Sequence, residues 1–506
     1  MKKKTFTPLF CMFLALIFSC KKDFKNNQLE NEVVKNKTLN VDSAKKQFAI
    51  ILSKAVNEDI SLREFIKNES LKQIDNDFDV FYAFVRDKIV SKNETFRTKL
   101  VKYADNESKL KEIEDCLPLL TIFVPKLPTG FSAEKWNTSN ENPLVTTENT
   151  VKNQQEFFGD GHFVLSLNRD EIPAFPTLVI KNNERIKVKD EILLKSGSAN
   201  SLSKDSYAFV DPAFDGTIKT KGDPVGGTNH LIDFPVGQVD PILLNAYDLM
   251  GVSNSDWQRD HIYYGLNHDP DTKGPLNISL KETIRSIRFN NSAIGFMRDQ
   301  DDPTYVGEKL GLMTPNLKWT DGNFEFRFEI LINNKLGLGT TITRMVSIDP
   351  DLLFYLEYEY RFKVGNLYNY ARIKTIHNNK VGLNIPLINW DLENNGMAWK
   401  FYVSEIDDQQ TSTRTETSTM EFATNFGFNT TLGKVTKYGL NFGASAKSTK
   451  TNTYTLTTQL NSDDLGTLEL FFSDPVIRQR IAGSNLLDMG TISNGLIELV
   501  VMPMPY

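Results

Sequence analysis

Aspartates supply the densest candidate chemistry in this chain. Asp407-Asp408 and Asp463-Asp464 flank strand-like stretches, and Asp269, Asp271, Asp299, Asp301 and Asp302 add further carboxylates in the same half. Calcium takes about six to eight oxygen ligands, so carboxylates from several loops at one end of a β-sandwich suit it. Asp407, Asp408, Asp463 and Asp464 are the candidate set for such an ion. The role expected of them is nevertheless turn formation, with each side chain bonded to local backbone. Farther upstream, Asp75-Asn-Asp-Phe-Asp79 matches the first three ligand positions of a helix-loop-helix calcium loop, but Val80 and Arg86 stand where glycine and glutamate are required. These three acids are expected instead at a helix N-terminus, where they complement the helix dipole.

Other chemistries leave weaker marks. The five histidines, at 162, 230, 261, 268 and 377, form no His-Glu-x-x-His, and no paired cysteines accompany them, so zinc is not indicated. Lys195-Ser-Gly-Ser-Ala199 lacks the strand-to-helix setting of a nucleophile elbow, and Lys221-Gly-Asp-Pro-Val-Gly-Gly227 lacks the phosphate-loop arrangement. The five tryptophans, 136, 257, 319, 390 and 399, are expected in packed cores rather than on a sugar platform. A net charge of −6 over 506 residues gives no field to recruit nucleic acid. No activity is legible, and the chain reads as non-catalytic.

The elements that would position these residues divide the chain in two. Phe48, Ile51, Leu52, Ala55 and Val56 recur at helical spacing behind a cap at Asp42 or Ser43, and a second helix follows around Leu62, Phe65 and Ile66. A third is expected over Phe78, Phe81, Tyr82 and Val85, with further turns around Phe96–Leu100 and Leu110–Ile113. Strand patterns begin at Leu119–Pro125 and return at Phe175–Lys181. From Asp240 they dominate, first at Pro241–Tyr247 and His261–Gly265. Phe324, Phe326, Phe328 and Ile330 alternate with Glu325, Arg327 and Glu329, the pattern of a half-buried strand. Leu353–Phe362, Thr467–Phe472 and Gly495–Val501 continue the series.

The most regular stretch is a threonine-rich hairpin over 396–460. Threonine occupies 411, 413, 415, 417 and 419 on one arm and 449, 451, 453, 455 and 457 on the other, so each set shares one sheet face. A turn near Thr431-Leu-Gly-Lys434 would set Thr413 opposite Asn452. The fold class is therefore α+β, mainly β: a helical module followed by antiparallel sandwich-like domains with a long hairpin. The boundaries expected are a signal peptide at 1–19, a polar tether at 20–40, a helical module at 41–116, an irregular β-rich region at 117–235, and β domains at 236–350 and 351–506.

Three resemblances bear on function. Lys2-Lys-Lys4, the apolar run Leu9–Ile17 and Ser19-Cys20 resemble the signal and lipobox of bacterial lipoproteins, and Cys20-Lys-Lys-Asp23 is similar to the mature start of lipoproteins from the Bacteroidota. This resemblance implies lipidation (palmitate among the acyl groups) at Cys20, an outer-membrane location in the cell envelope, and display at the surface in some relatives. Asp407-Asp408 with Asp463-Asp464-Leu-Gly466 resembles the loop ends of calcium- and lipid-binding sandwich domains. The paired Ser/Thr-rich arms resemble the insertion hairpins of β-pore-forming toxins, although Ser412, Arg414 and Glu416 between the threonines leave neither face of that section apolar. Three readings of function follow: a non-catalytic, membrane-anchored lipoprotein whose β domains bind an unknown protein or glycan; a membrane-inserting hairpin protein; and a hydrolase of surface polysaccharide or peptide. Of the three cysteines, Cys116 alone is left for the folded part, where it reads as a buried structural thiol.

Overall fold

Asn40, not Asp42 or Ser43, caps the first helix: its Oδ1 accepts the Ser43 N–H at 2.7 Å, and Val41–Glu58 follows. The computed structural model describes residues 39–506 except 149–153, 169–170, 190–202, 211–213, 215–229, 251–255, 267–273, 292, 294–296, 298–322, 335–338, 364–367, 407–410, 424–446 and 460–463. The protein is α+β and mainly β. Helices Val41–Glu58, Ile60–Ser70, Phe96–Val101 and Glu107–Cys116 come early, as their apolar spacing requires. Phe48, Leu52, Val56, Leu62 and Ile66 are fully buried, so the helices share a core with a six-stranded sheet. Its strand order is Asp79–Phe81, Leu120–Phe123, Thr177–Asn182, Leu144–Thr147, Gln154–Gly159, His162–Asn168. The helix expected over Phe78–Val85 is instead a strand, Asp79–Phe81, and one helical turn, Tyr82–Val85. Asp79 pairs with Phe123, so the ladder with Leu120–Phe123 overrides the local helical pattern.

Two antiparallel sheets face each other in the second half. One has the order Gly339–Ile348, Phe324–Asn334, Asn395–Glu405, Asp464–Phe471; the other His230–Leu231, Lys380–Pro386, Leu280–Phe289, Ile497–Pro505, Ile492–Ser493. Phe324, Phe326, Phe328 and Ile330 meet Ile284, Ile287 and Leu499 in one core. Trp390 and Trp399 stack within it at 4.3 Å between ring centres, which places both tryptophans in packing roles. The segments around Pro241 and His261, expected as strands, are the helices Pro241–Met250 and Gln258–Tyr264. Asp240 Oδ1 accepts the Ile242 N–H at 2.9 Å beside a proline at the first helical position, and Leu243, Ala246 and Tyr247 bury at helical spacing. A third sheet, Phe354–Lys363, Tyr368–Asn378, Ile172–Pro173, lies between the two cores, with Ile373 touching both.

The threonine-rich stretch differs from one continuous hairpin over 396–460. Asn395–Glu405 belongs to the four-stranded sheet, and only Thr411–Ala423 and Lys447–Gln459 form the two-stranded hairpin. Its register also differs from the expected one: Thr413 faces Thr457, and Ser418 faces Asn452. Threonines thus stand opposite threonines at 413/457, 415/455, 417/453 and 419/451. The reason is the covered face. Ser418, Met420, Phe422, Asn452 and Tyr454 are buried, while Thr415, Thr417, Thr419, Thr451 and Thr453 are exposed. An odd shift of register would have turned one of these apolar sets outward.

Candidate functional site

The central strand Phe324–Asn334 is where the polar residues converge. It is buried on both faces rather than one: Glu325, Arg327 and Glu329 are 4, 8 and 8% exposed. Two structures cover this second face, a charged network at one end and the threonine hairpin at the other.

The network is anchored by Arg185, whose Nη2 lies 3.3 Å from Glu325 Oε2 while Nη1 donates to the Asp75 carbonyl at 3.1 Å. Ser347 Oγ donates to Glu325 Oε1 at 3.1 Å. Asn183 Nδ2 donates to Asp75 Oδ2 at 2.8 Å and to Asp79 Oδ2 at 3.2 Å. Lys181 Nζ stands 2.8 Å from Glu184 Oε1, 3.4 Å from Asp79 Oδ2 and 3.9 Å from Asp77 Oδ2, above the Phe123 ring. The acids expected to cap a helix are therefore buried in a loop and the strand after it, with Asp75, Asp77 and Asp79 at most 1% exposed. Asp77, Asp79 and Glu184 bring carboxylate oxygens within 4.8 Å of one another, the spacing of a cation site. The Lys181 ammonium already stands among them, so the position a cation would take holds a charge of the protein's own. Burial pushes the Asp79 carboxyl well above its usual range despite Lys181, and raises Asp75 despite Arg185. Burial likewise lifts Glu325 to about 7, against the pull of Arg185. Such a network ties segments 75–79 and 181–185 to residue 325. Nothing in the spacing of Asp75–Asp79 points to its partners more than a hundred residues away.

At the other end the hairpin lies across the sheet. Tyr454 packs on Leu331 and Tyr402, and Asn452 Nδ2 donates to Asn333 Oδ1 at 3.3 Å. Gly396 lies directly beneath the hairpin: a Cβ built there would stand in ordinary contact, 3.6 Å, with both Met420 Cβ and the Glu421 carbonyl. The contact is imperfect in its polar atoms, since no partner reaches the buried Ser418 Oγ or Asn333 Nδ2. In sequence the hairpin interrupts two strands that are neighbours in the sheet, because Asn395–Glu405 pairs directly with Asp464–Phe471. The two ladders are nearly in phase. Continuing from Ser404↔Asp464 residue by residue would set Thr411 against Thr457, two residues from its observed partner Gln459.

Of the expected site residues, Cys20, Asp407, Asp408 and Asp463 lie outside the described residues. Asp464 is exposed at the start of its strand, and its Oδ1 accepts the Gly466 N–H at 2.9 Å, which is turn chemistry. In sequence, Asp407–Asp408 and Asp463 fall in the two connections between sheet and hairpin, residues 407–410 and 460–463. Cys116 is half-buried, its Sγ donating to the Leu39 carbonyl at 3.3 Å, and burial raises its thiol, which makes it a poor nucleophile. His261 Nδ1 lies 2.7 Å from the Leu266 carbonyl, a local contact. No protein-family description, curated protein or solved structure matches this chain.

Proposed function

We propose that the protein is a non-catalytic envelope lipoprotein that acts on a lipid bilayer by releasing the Thr411–Gln459 hairpin from its sheet. The observation that carries this reading is the hairpin's place: it is an excursion between two paired neighbours, nearly in register with them. Swinging it out requires no change of sheet topology, and it would extend the Asn395–Glu405 and Asp464–Phe471 ladder into one long ribbon. Each arm has 13 residues, about 43 Å of extended strand, where about 9–11 residues suffice to cross the hydrocarbon.

Sequence parity supports the same reading. The covered face holds even-numbered residues, and between the arms Phe426, Phe428, Leu432, Tyr438, Leu440, Phe442 and Ala444 hold even positions. Asn425, Gly427, Asn429, Gly439, Asn441 and Gly443 alternate with them in the sequence. A membrane strand wants one lipid-facing set of this kind and one polar set. The charged Arg414 and Glu416 fall at the sheet-proximal end of their arm, and Lys434 falls in the stretch joining the arms, which leaves Lys450 as the exception. A lipid on Cys20 would keep the folded part beside a membrane, each acyl chain contributing about 0.8 kcal/mol per buried CH₂.

A disulfide lock tests this. Gly396→Cys with Met420→Cys, in a Cys116→Ser background, places two Cβ atoms about 3.6 Å apart, within the range a disulfide needs. Dye-loaded phospholipid vesicles should leak with the parent chain, stay sealed with the oxidised variant, and leak again once it is reduced. Equal leakage in both redox states, or none from the parent chain, would leave the hairpin a fixed part of a binding scaffold.

A further inference from the structure

The strand Phe354–Lys363 is an edge. It pairs with Tyr368–Asn378 on one side, and on the other no described residue continues the sheet. Edges of this length are ordinarily blunted or covered, because their free N–H and C=O groups template pairing with another chain. This one instead carries three of the most exposed large apolar side chains of the protein: Tyr355, Tyr360 and Phe362 are 60, 50 and 62% exposed. Its other side chains follow a pattern that suits itself. Glu357 and Glu359 precede the alternating Arg361 and Lys363, with Tyr358, Tyr360 and Phe362 between them.

We infer that two copies of this chain associate through this edge, antiparallel about a twofold axis at Tyr360, forming one continuous sheet across the interface. In that register Glu359 faces Arg361 of the partner subunit and Glu357 faces Lys363 of the partner subunit, each twice. Tyr358 faces Phe362 of the partner subunit on the opposite face. Neighbouring registers do worse. An axis at Tyr358 sets Glu357 against Glu359, and axes at Glu359 or Arg361 set a charge against itself. Cross-strand pairs of opposite charge stabilise a sheet, and like charges directly opposite destabilise it. A twofold contact of this kind is closed, so it yields a dimer and not a fibre. The contact does not depend on the hairpin reading.

Single charge reversals separate the twofold contact from any other association. Glu359 and Arg361 have side chains 42 and 61% exposed and pair only locally at 3.3 Å, so reversing either leaves the fold intact. With Glu359→Arg alone, both copies present cations at the shared positions; with Arg361→Glu alone, both present anions. Mixed together, the two variants are complementary at every pair. Sedimentation of the full chain in mild non-ionic detergent, over a concentration series, should show a dimer for the parent chain. Each variant by itself should dissociate at a concentration on the order of tenfold higher or more. The equimolar mixture should recover the parent behaviour, which also shows that each variant is folded. A parent chain that stays monomeric, single variants that dimerise as well as the parent, or a mixture that stays apart would overturn the inference.

Discussion

Replacing Phe422 by alanine tests how firmly the hairpin is held. Three apolar side chains, Met420, Phe422 and Tyr454, bury against the sheet at 5, 0 and 3% exposure. At about 1.5–3 kcal/mol for each fully buried side chain, they contribute about 5–9 kcal/mol. Two buried polar atoms without partners, Ser418 Oγ and Asn333 Nδ2, cost about 1–3 kcal/mol each. The net is about 3 kcal/mol near the middle of these ranges, and a buried Phe→Ala change typically costs about 3–5 kcal/mol. Phe422→Ala should therefore undock the hairpin without unfolding the sheet. An isolated two-stranded ribbon is marginal in water, so its amides should then exchange freely. Hydrogen exchange should rise by about a hundredfold or more, as 3 kcal/mol implies, over 411–423 and 447–459, while 324–334 and 395–405 keep their protection. Loss of protection in both regions together would show instead that the hairpin is part of the sheet's cooperative unit.

Other expected outcomes follow from the network and the sequence. Lys181→Met leaves Asp77, Asp79 and Glu184 facing one another without their buried ammonium, and chemical denaturation should show a loss of about 3–5 kcal/mol, the usual result of breaking a buried ion pair. Glu325 has its folded-state pKa raised by burial to about 7, so the folded chain holds a proton there that the unfolded chain has released. Stability from this group is present below the unfolded carboxyl range and falls as pH rises toward about 7; Glu325→Gln should flatten that part of a melting-temperature profile, and an unchanged profile would contradict it. Labelled fatty acid should enter the parent chain and be absent from Cys20→Ser; label retained by the variant would contradict lipidation.

What the sequence made legible was mostly local. Period two at Thr411–Thr419 identified the exposed face of the hairpin, and alternation at Phe324–Ile330 identified the apolar face of the central strand. That the charged face of the same strand is also buried could not be read there, because its covers, Arg185 and the hairpin, are remote in sequence. The hairpin register differs from the expected one because the sheet beneath sets it, and a turn near 431–434, outside the described residues, carries no information about that sheet. Apolar runs at Pro241 and His261 fit strand or helix equally at their length, and the Asp240–Pro241 cap decided for helix. The Asp75–Asp79 acids read as dipole partners because Asn183, Lys181 and Arg185 reach them only through the sheet order. The strands at Asp79 and Thr177 both flank Leu120–Phe123, and no spacing rule anticipates that.

The proposed release of the hairpin from the sheet at a bilayer can be measured as a distance. Spin labels at Lys400→Cys, on the sheet, and Thr417→Cys, on the hairpin's exposed face, are separated in water by stacked layers, a distance on the order of 10–20 Å. If the two strands straighten into one ribbon, seventeen residues separate the positions, about 55 Å of extended chain. Pulsed electron paramagnetic resonance on vesicles should show the long distance replacing the short one. A short distance that persists on vesicles that leak would contradict the account.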